Sequence, residues 1–244
     1  SYSVNMEILR RLCKEIAESR IKTIIIHGGG SFGHPLALKY NIVGMQFKNA
    51  EYSSAVLEIR KAMLQLNSIV VNCLEKAGLK TYSIQPSSII IADKTKIYHM
   101  DIGMVVECLK MGLTPVLFGD VTIDKSLGFS IISGDQILTY LVSALGLKRA
   151  IFVMNVDGVL IKDKNTNVTT LLEDIHIRLL KNVISMLETE SYKDATGGIV
   201  GKLKSIYELR KSTCKEVLLI NGTIPGLLKD ALLGAKVRGT RVIF

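Results

Sequence analysis

Apolar residues fall into two alternating rhythms along the chain. Val4, Ile8, Leu9, Leu12, Ile16 and Ala17 recur at helical spacing behind Ser3 or Asn5, either of which can cap, and predict an amphipathic helix over 4–19. The β-branched run 21–26 predicts a short buried strand that feeds a loop beginning Gly28-Gly29-Gly30. Residues 51–77 return to the helical rhythm, with Ala55, Ile59, Met63, Leu66, Val70 and Leu74 on one stripe and Gly78 as the stop. Further strands are predicted at 79–85, 114–118, 149–154, 216–220 and 240–244, with helices near 101–111, 134–145, 174–188, 198–213 and 225–232.

Strands alternating with helices predict an α/β fold, with a mainly parallel open sheet covered on both faces. One interval breaks the alternation: residues 121–124, a turn at 125–128, and 129–132 predict a β-hairpin, expected to project over a site. There is no internal repeat, low-complexity tract or linker, so one domain over 1–244 with two lobes is expected. A sheet of this kind normally begins with a strand, whereas this sequence begins in a helix. A preceding strand and loop are therefore expected.

Composition narrows the class. An apolar fraction of 48% with 22% charged residues fits a large buried core and excludes a disordered chain. Thirty-one basic against 22 acidic residues leave a net charge of +9, which points to an anionic partner without saying which. The basic residues are dispersed and lack an aromatic-basic surface motif, which argues against nucleic acid. No apolar stretch approaches the roughly 18 residues that span a bilayer, so no membrane partner is expected. Cys13, Cys73, Cys108 and Cys214 form no C-x-x-C pair and read as buried thiols. With no signal-peptide pattern at the start, a cytoplasmic protein is expected.

Candidate chemistry gathers in four places. His27-Gly28-Gly29-Gly30-Ser31-Phe32-Gly33-His34 follows a predicted strand, and consecutive glycines let backbone N–H groups approach an anion with no Cβ in the way. Ser31 can add a hydroxyl donor, and His34 a donor that becomes cationic on protonation. A tight turn would need one or two glycines, so phosphate binding is the better reading. The same stretch matches G-x-G-x-x-G at Gly28, Gly30 and Gly33, but its would-be acidic partner, Glu51, opens a helix instead of ending a strand. A nicotinamide-dependent oxidoreductase is therefore the runner-up.

Thr196-Gly197-Gly198-Ile199-Val200-Gly201-Lys202 opens a predicted helix. It lacks the spacing and the Ser or Thr of a P-loop, but retains exposed N–H groups, a helix dipole and the Lys202 ammonium facing one anion. Ser133-Gly134-Asp135-Gln136 precedes another helix. Asp135 reads either as an ordinary first-turn carboxylate or, near phosphate loops, as an organiser of lysines. Asn155-Val156-Asp157-Gly158 reads either as a plain turn or as a strand-end loop contacting a nucleotide.

In this order the motifs resemble the amino acid kinase family. Within it, His27–His34 followed by Pro35 resembles the archaeal type of isopentenyl phosphate kinases, with fosfomycin kinases the nearest confusable relatives. The resemblance implies a three-layer αβα sandwich with the hairpin over the acceptor site. It also implies a homodimer, ATP with Mg2+ as donor, and isopentenyl phosphate as acceptor. An acceptor lobe would span about 1–146 and an ATP lobe about 147–244, and the family's first strand, with its lysine-glycine loop, would precede Ser1. By motif, Gly28, Gly29, Ser31, His34 and Gly134 would hold the acceptor. Gly30, Asp157, Gly197, Gly198 and Lys202 would hold ATP, and Asp135 would organise the catalytic lysines, which makes His34, Asp135 and Lys202 the catalytic set. No protein metal ligand is implied. Gln136 and Asn155 depart from the family pattern, in which each is an Asp. A hydrocarbon tail needs an apolar wall, for which Met63, Leu66, Val70, Phe129 and Ile131 are the candidates. A non-catalytic phosphate-binding protein on the same fold is a further alternative.

Overall fold

The computed structural model describes residues 3–33, 50–162, 168–189 and 198–244, and the statements below concern these. They form two compact units, Ser1–Leu138 and Thr139–Phe244.

In the first unit, α1 (Met6–Ser19) begins where Asn5 accepts the Ile8 N–H at 3.1 Å, and it ends at Arg20 in the left-handed conformation. Strand β1 (Ile25–His27) is shorter than the predicted run. Helix α2 (Ala50–Lys76) follows the predicted stripe closely. Ala55, Ile59, Met63, Leu66, Val70 and Leu74 are all buried, and Gly78 closes the helix with φ +97°.

Next come β2 (Thr81–Ser83), the short helix α3 (Pro86–Ile89), β3 (Ile90–Asp93), β4 (Lys96–Met100), α4 (Gly103–Lys110) and β5 (Thr114–Phe118). Strand β5 lies between β1 and β2 in an all-parallel sheet, and its apolar run shows why. Val116 and Phe118 join the core cluster under α2, while Leu117 alternates to the other face, and all three are fully buried.

The predicted hairpin exists as β6 (Asp120–Asp124) and β7 (Gly128–Ile132), but not as a free ribbon. Strand β3 pairs in parallel with the other edge of β6, giving a four-stranded sheet in the order β4-β3-β6-β7. The β3–β4 hairpin was not predicted. Its turn places Lys94 and Thr95, neither a glycine, at φ 50° and 65°. The buried Asp124 carboxylate accepts both of their N–H groups, at 3.1 and 2.9 Å, and also those of Ser126 and Leu127. Burial pushes this carboxyl up, but the backbone donors, Thr95 and Leu127 foremost, hold it below the usual carboxylate range.

Helix α5 (Gly134–Ala144) follows, and the unit boundary falls within it. The second unit contains β8 (Arg149–Met154), β9 (Val159–Lys162), β10 (Thr169–Leu172), β11 (Asp174–His176), α6 (Ile177–Thr189) and α7 (Gly198–Glu208), with a 3-10 turn at Leu209–Lys211. It ends with β12 (Glu216–Asn221), α8 (Leu227–Leu233) and β13 (Thr240–Ile243). The sheet order is β11-β13-β12-β8, with β9 and β10 as a separate hairpin. Strand β12 is a continuous buried run from Val217 to Ile220, as a central strand requires. Residues 174–176, expected to start a helix, instead pair in parallel with β13, which buries Ile175.

The architecture is α/β, with parallel strand pairs slightly outnumbering antiparallel ones among the described strands. All four cysteines are free and buried, and no described helix is long and apolar enough to cross a membrane.

Candidate active site

At the carboxyl end of β1 the backbone breaks into Gly28-Gly29 and then a helical turn over 30–33, in which Phe32 and Gly33 both donate to the Gly29 carbonyl. The three glycines have different reasons to be there. Gly30 sits at φ +45°, and a Cβ on Gly29 would stand 3.1 Å from the Gly33 Cα and 3.2 Å from the Met63 sulfur. Gly28 has neither constraint: its φ is ordinary, and a Cβ there would meet nothing within 4 Å among the described residues. Nothing in the packing of the described residues requires a glycine at 28, as expected where a ligand meets bare backbone.

Two further backbone segments converge on the same strand end. Gly119, just after β5, donates its N–H to the His27 carbonyl at 3.1 Å. Gly134, the first residue of α5, is pressed so closely that a Cβ would stand 3.2 Å from that carbonyl oxygen and 3.3 Å from the Ile26 side chain. The α5 N-terminus is fixed by a capping box. Ser133 Oγ accepts the Gln136 N–H at 3.2 Å, and Gln136 Oε1 accepts the Ser133 N–H at 2.9 Å. Gln136 Nε2 also donates to the Thr95 carbonyl at 2.9 Å, which ties the helix start to the β3–β4 turn. A helix N-terminus and a glycine loop thus meet beside β1, where oriented N–H groups favour a bound anion.

Ser31 is engaged elsewhere. Its hydroxyl donates to the Ser3 carbonyl at 2.7 Å and accepts the Ser3 N–H at 3.2 Å, so its one proton is committed to the chain's own backbone. A cleft of about 190 Å3 opens on the loop, lined also by Leu9, Leu66 and Val70. Met63, Leu66 and Val70 belong to the core cluster, with Phe129 and Ile131 packed against it.

His27, which the sequence marks only as the start of the glycine motif, belongs to this site together with Asn67 and Gly119. His27 stacks on Phe118 (centroids 5.4 Å apart, planes 19° apart) and reaches Asn67 of α2, so only its place beside the glycines signalled it. Asp120, after Gly119, is 2% exposed. Burial pushes its carboxyl up, against hydrogen bonds from Ser87 and Val121 and the charge of Arg60.

In the second unit, Asp157 lies beyond β8, where Asn221 donates to it at 2.8 Å and Arg238 at 2.7 Å. The Asn221 bond and then the Arg238 guanidinium hold its carboxyl below the usual range. The loop is anchored behind it by Thr240, whose buried hydroxyl accepts the Val159 N–H at 2.7 Å and donates to the Leu172 carbonyl at 2.6 Å. Asp157 and Asn221 stand at the carboxyl ends of the parallel strands β8 and β12, where open α/β sheets take ligands. Gly198 begins α7, and Lys202, one turn in, carries its ammonium 5.6 Å from the Phe152 ring centroid. His34, Thr196 and Gly197 lie outside the described residues.

Residues 1–221 match the model of the amino acid kinase family. The chain belongs to that family. It is 35% identical to the isopentenyl phosphate kinase of Methanothermobacter thermautotrophicus, over 98% of this chain and 91% of that one. With the enzyme of the same name from Methanocaldococcus jannaschii it shares 34% identity, over 100% and 92%. A crystal structure of an isopentenyl phosphate kinase superposes with a TM-score of 0.83 at 33% identity, over 98% of this chain and 92% of that one. The amino acid kinase fold therefore accounts for the architecture, and the dinucleotide reading of Gly28, Gly30 and Gly33 is not favoured. Its acidic partner fails on structure too, since Glu51 stands in the first turn of α2.

Proposed function

We propose that the protein transfers the γ-phosphoryl group of ATP to isopentenyl phosphate, giving isopentenyl diphosphate and ADP. The observation that carries this reading is the convergence of Gly28–Gly33, Gly119 and the α5 N-terminus on the end of β1, in a chain of this family. An acceptor-phosphate oxygen would attack the γ-phosphorus in line, breaking its bond to the β–γ bridging oxygen. Such a transfer needs positioning and charge neutralisation more than covalent help.

In this reading Gly28, Gly29 and Gly134 hold the acceptor phosphate with N–H donors, and His34 donates to a non-bridging oxygen. Ser31 adds its backbone N–H, its hydroxyl being occupied by Ser3. Gly30, Gly197, Gly198 and Lys202 neutralise the ATP phosphates, Asp157 supports the nucleotide loop, and Asp135 orients the cations. Magnesium would enter on the triphosphate and neutralise it there. Among the described residues no group of three His, Cys, Asp or Glu gathers to hold a metal. Met63, packed under Gly29 and Gly33, and the adjoining Leu66 and Val70 supply the apolar wall for the short tail. The acceptor side would belong to residues 1–146 and the ATP side to 147–244, in a cytoplasmic homodimer.

The test is a panel of isopentenyl, dimethylallyl and geranyl phosphates, with fosfomycin as control, followed by ADP release. Isopentenyl phosphate is expected to give the highest kcat/KM. Release above background with fosfomycin alone would reassign the acceptor.

A further inference from the structure

His27 is held both by the loop and by the elements around it. Its carbonyl receives Gly119 and supports Gly134, its ring lies on Phe118, and both ring nitrogens meet oxygens: Nδ1 is 3.1 Å from the Gly28 carbonyl, and Nε2 is 3.2 Å from Asn67 Oδ1. Asn67 is itself buried, at 6% exposure, and its Nδ2 is 2.5 Å from Ser83 Oγ.

A neutral imidazole has one N–H and cannot serve two oxygens. An imidazolium could, but burial pushes the His27 ring down from its usual range, against the pull of Gly28 and Asn67. Turning the Asn67 amide over resolves the conflict at no cost in partners. Its NH2 then donates to Nε2, and its oxygen accepts the Ser83 hydroxyl, which donates as readily as it accepts. That leaves Nδ1–H to donate to the Gly28 carbonyl.

We propose that His27 is a positioning residue of the acceptor loop: a neutral ring, set in its Nδ1–H tautomer by Asn67, that pins the Gly28 carbonyl and thereby aims the Gly29 N–H at the acceptor phosphate. The peptide joining Gly28 to Gly29 is planar and trans, so its C=O and N–H point in opposite directions. Drawing the carbonyl back to the ring turns the Gly29 N–H outward and keeps a carbonyl oxygen away from the anion. Without that bond a run of three glycines has no side chain of its own to hold it. The proposal rests on the reading that this loop binds the acceptor phosphate.

Two measurements on the whole protein test it. The first is the 15N shift of the His27 ring, read without substrates. Wild type should show a protonated Nδ1 and an unprotonated Nε2, and Asn67→Asp, which can only accept at Nε2, should move a proton onto Nε2. A wild-type ring protonated at Nε2 alone, or at both nitrogens, overturns the proposal whether or not the protein is a kinase.

The second is steady-state kinetics of His27→Phe, which keeps a ring on Phe118, and of Asn67→Asp. Both should raise KM for isopentenyl phosphate about tenfold or more, a loss of about 1.4 kcal/mol, with KM for ATP within about twofold. Equal losses for both substrates, or an unchanged acceptor KM in folded variants, overturn it. A wild-type protein that turns over no isopentenyl phosphate would instead refute the functional reading, while the ring tautomer would still decide the role of His27.

Discussion

Gly28→Ala separates folding from ligand binding at the proposed phosphate cradle. A methyl group there meets no atom of the described residues within 4 Å and the backbone φ is ordinary, so none of these has to move. Alanine also restricts the unfolded chain, which stabilises by up to about 1 kcal/mol where the native conformation allows it. For a chain of this size, that is a melting temperature unchanged or raised by roughly 2–4 °C. The ligand sees a different surface. A Cβ holds a phosphate oxygen off the backbone, weakening a charge-assisted hydrogen bond worth about 1.5–3 kcal/mol. The expected loss in kcat/KM for isopentenyl phosphate is about tenfold to a hundredfold, with KM for ATP moving far less. Coupled ADP-release kinetics, varying each substrate in turn beside a thermal melt, read both sides. Wild-type acceptor kinetics in a stable Gly28→Ala protein would refute the inference that a ligand explains this glycine. A melt lowered by many degrees would refute the packing argument. Gly29→Ala is the contrast: its Cβ crowds Gly33 and Met63, so stability falls too, by about 1–3 kcal/mol.

Other expectations follow from the same geometry. His34→Ala should weaken acceptor phosphorylation far more than ATP binding, read from the two KM values, and equal losses would misplace the acceptor. Lys202→Gln should raise KM for ATP about tenfold or more in ATP-saturation kinetics, and an unchanged KM would remove Lys202 from the ATP site. Thr240→Val strips a buried hydroxyl from the Val159 N–H and the Leu172 carbonyl and should cost about 1–3 kcal/mol in urea unfolding. Asp124→Asn should destabilise at neutral pH. Because the folded carboxyl sits below its ordinary value, its contribution is complete above that value and is lost as pH falls through the folded one. The gap between the two proteins should therefore close in acid, and a gap independent of pH would contradict the assignment.

What could be read from the residues was what local rhythm determines. The α2 stripe, the run of β5 and the β6–β7 hairpin all appear where hydrophobic spacing placed them. The β3–β4 hairpin escaped because the turn at Lys94-Thr95 has no glycine or asparagine. Its left-handed residues are held by Asp124, some thirty residues away, which no local pattern reveals. The three residues of β11 escaped for a similar reason, since β13 lies near the far end of the chain. At the site, the glycines were visible as a motif, but the distinction between Gly28 and its neighbours depends on Met63 and Gly33. His27 stood out only as the start of that motif, because its partner Asn67 sits forty residues on, across the fold.

A single transfer between two phosphates can be observed directly by 31P NMR. The protein mixed with ATP, magnesium and isopentenyl phosphate should convert the acceptor's monophosphate signal into the paired doublets of a diphosphate, with ADP appearing in equal amount. Persistence of the monophosphate signal, with ATP intact or hydrolysed to free phosphate, would contradict it.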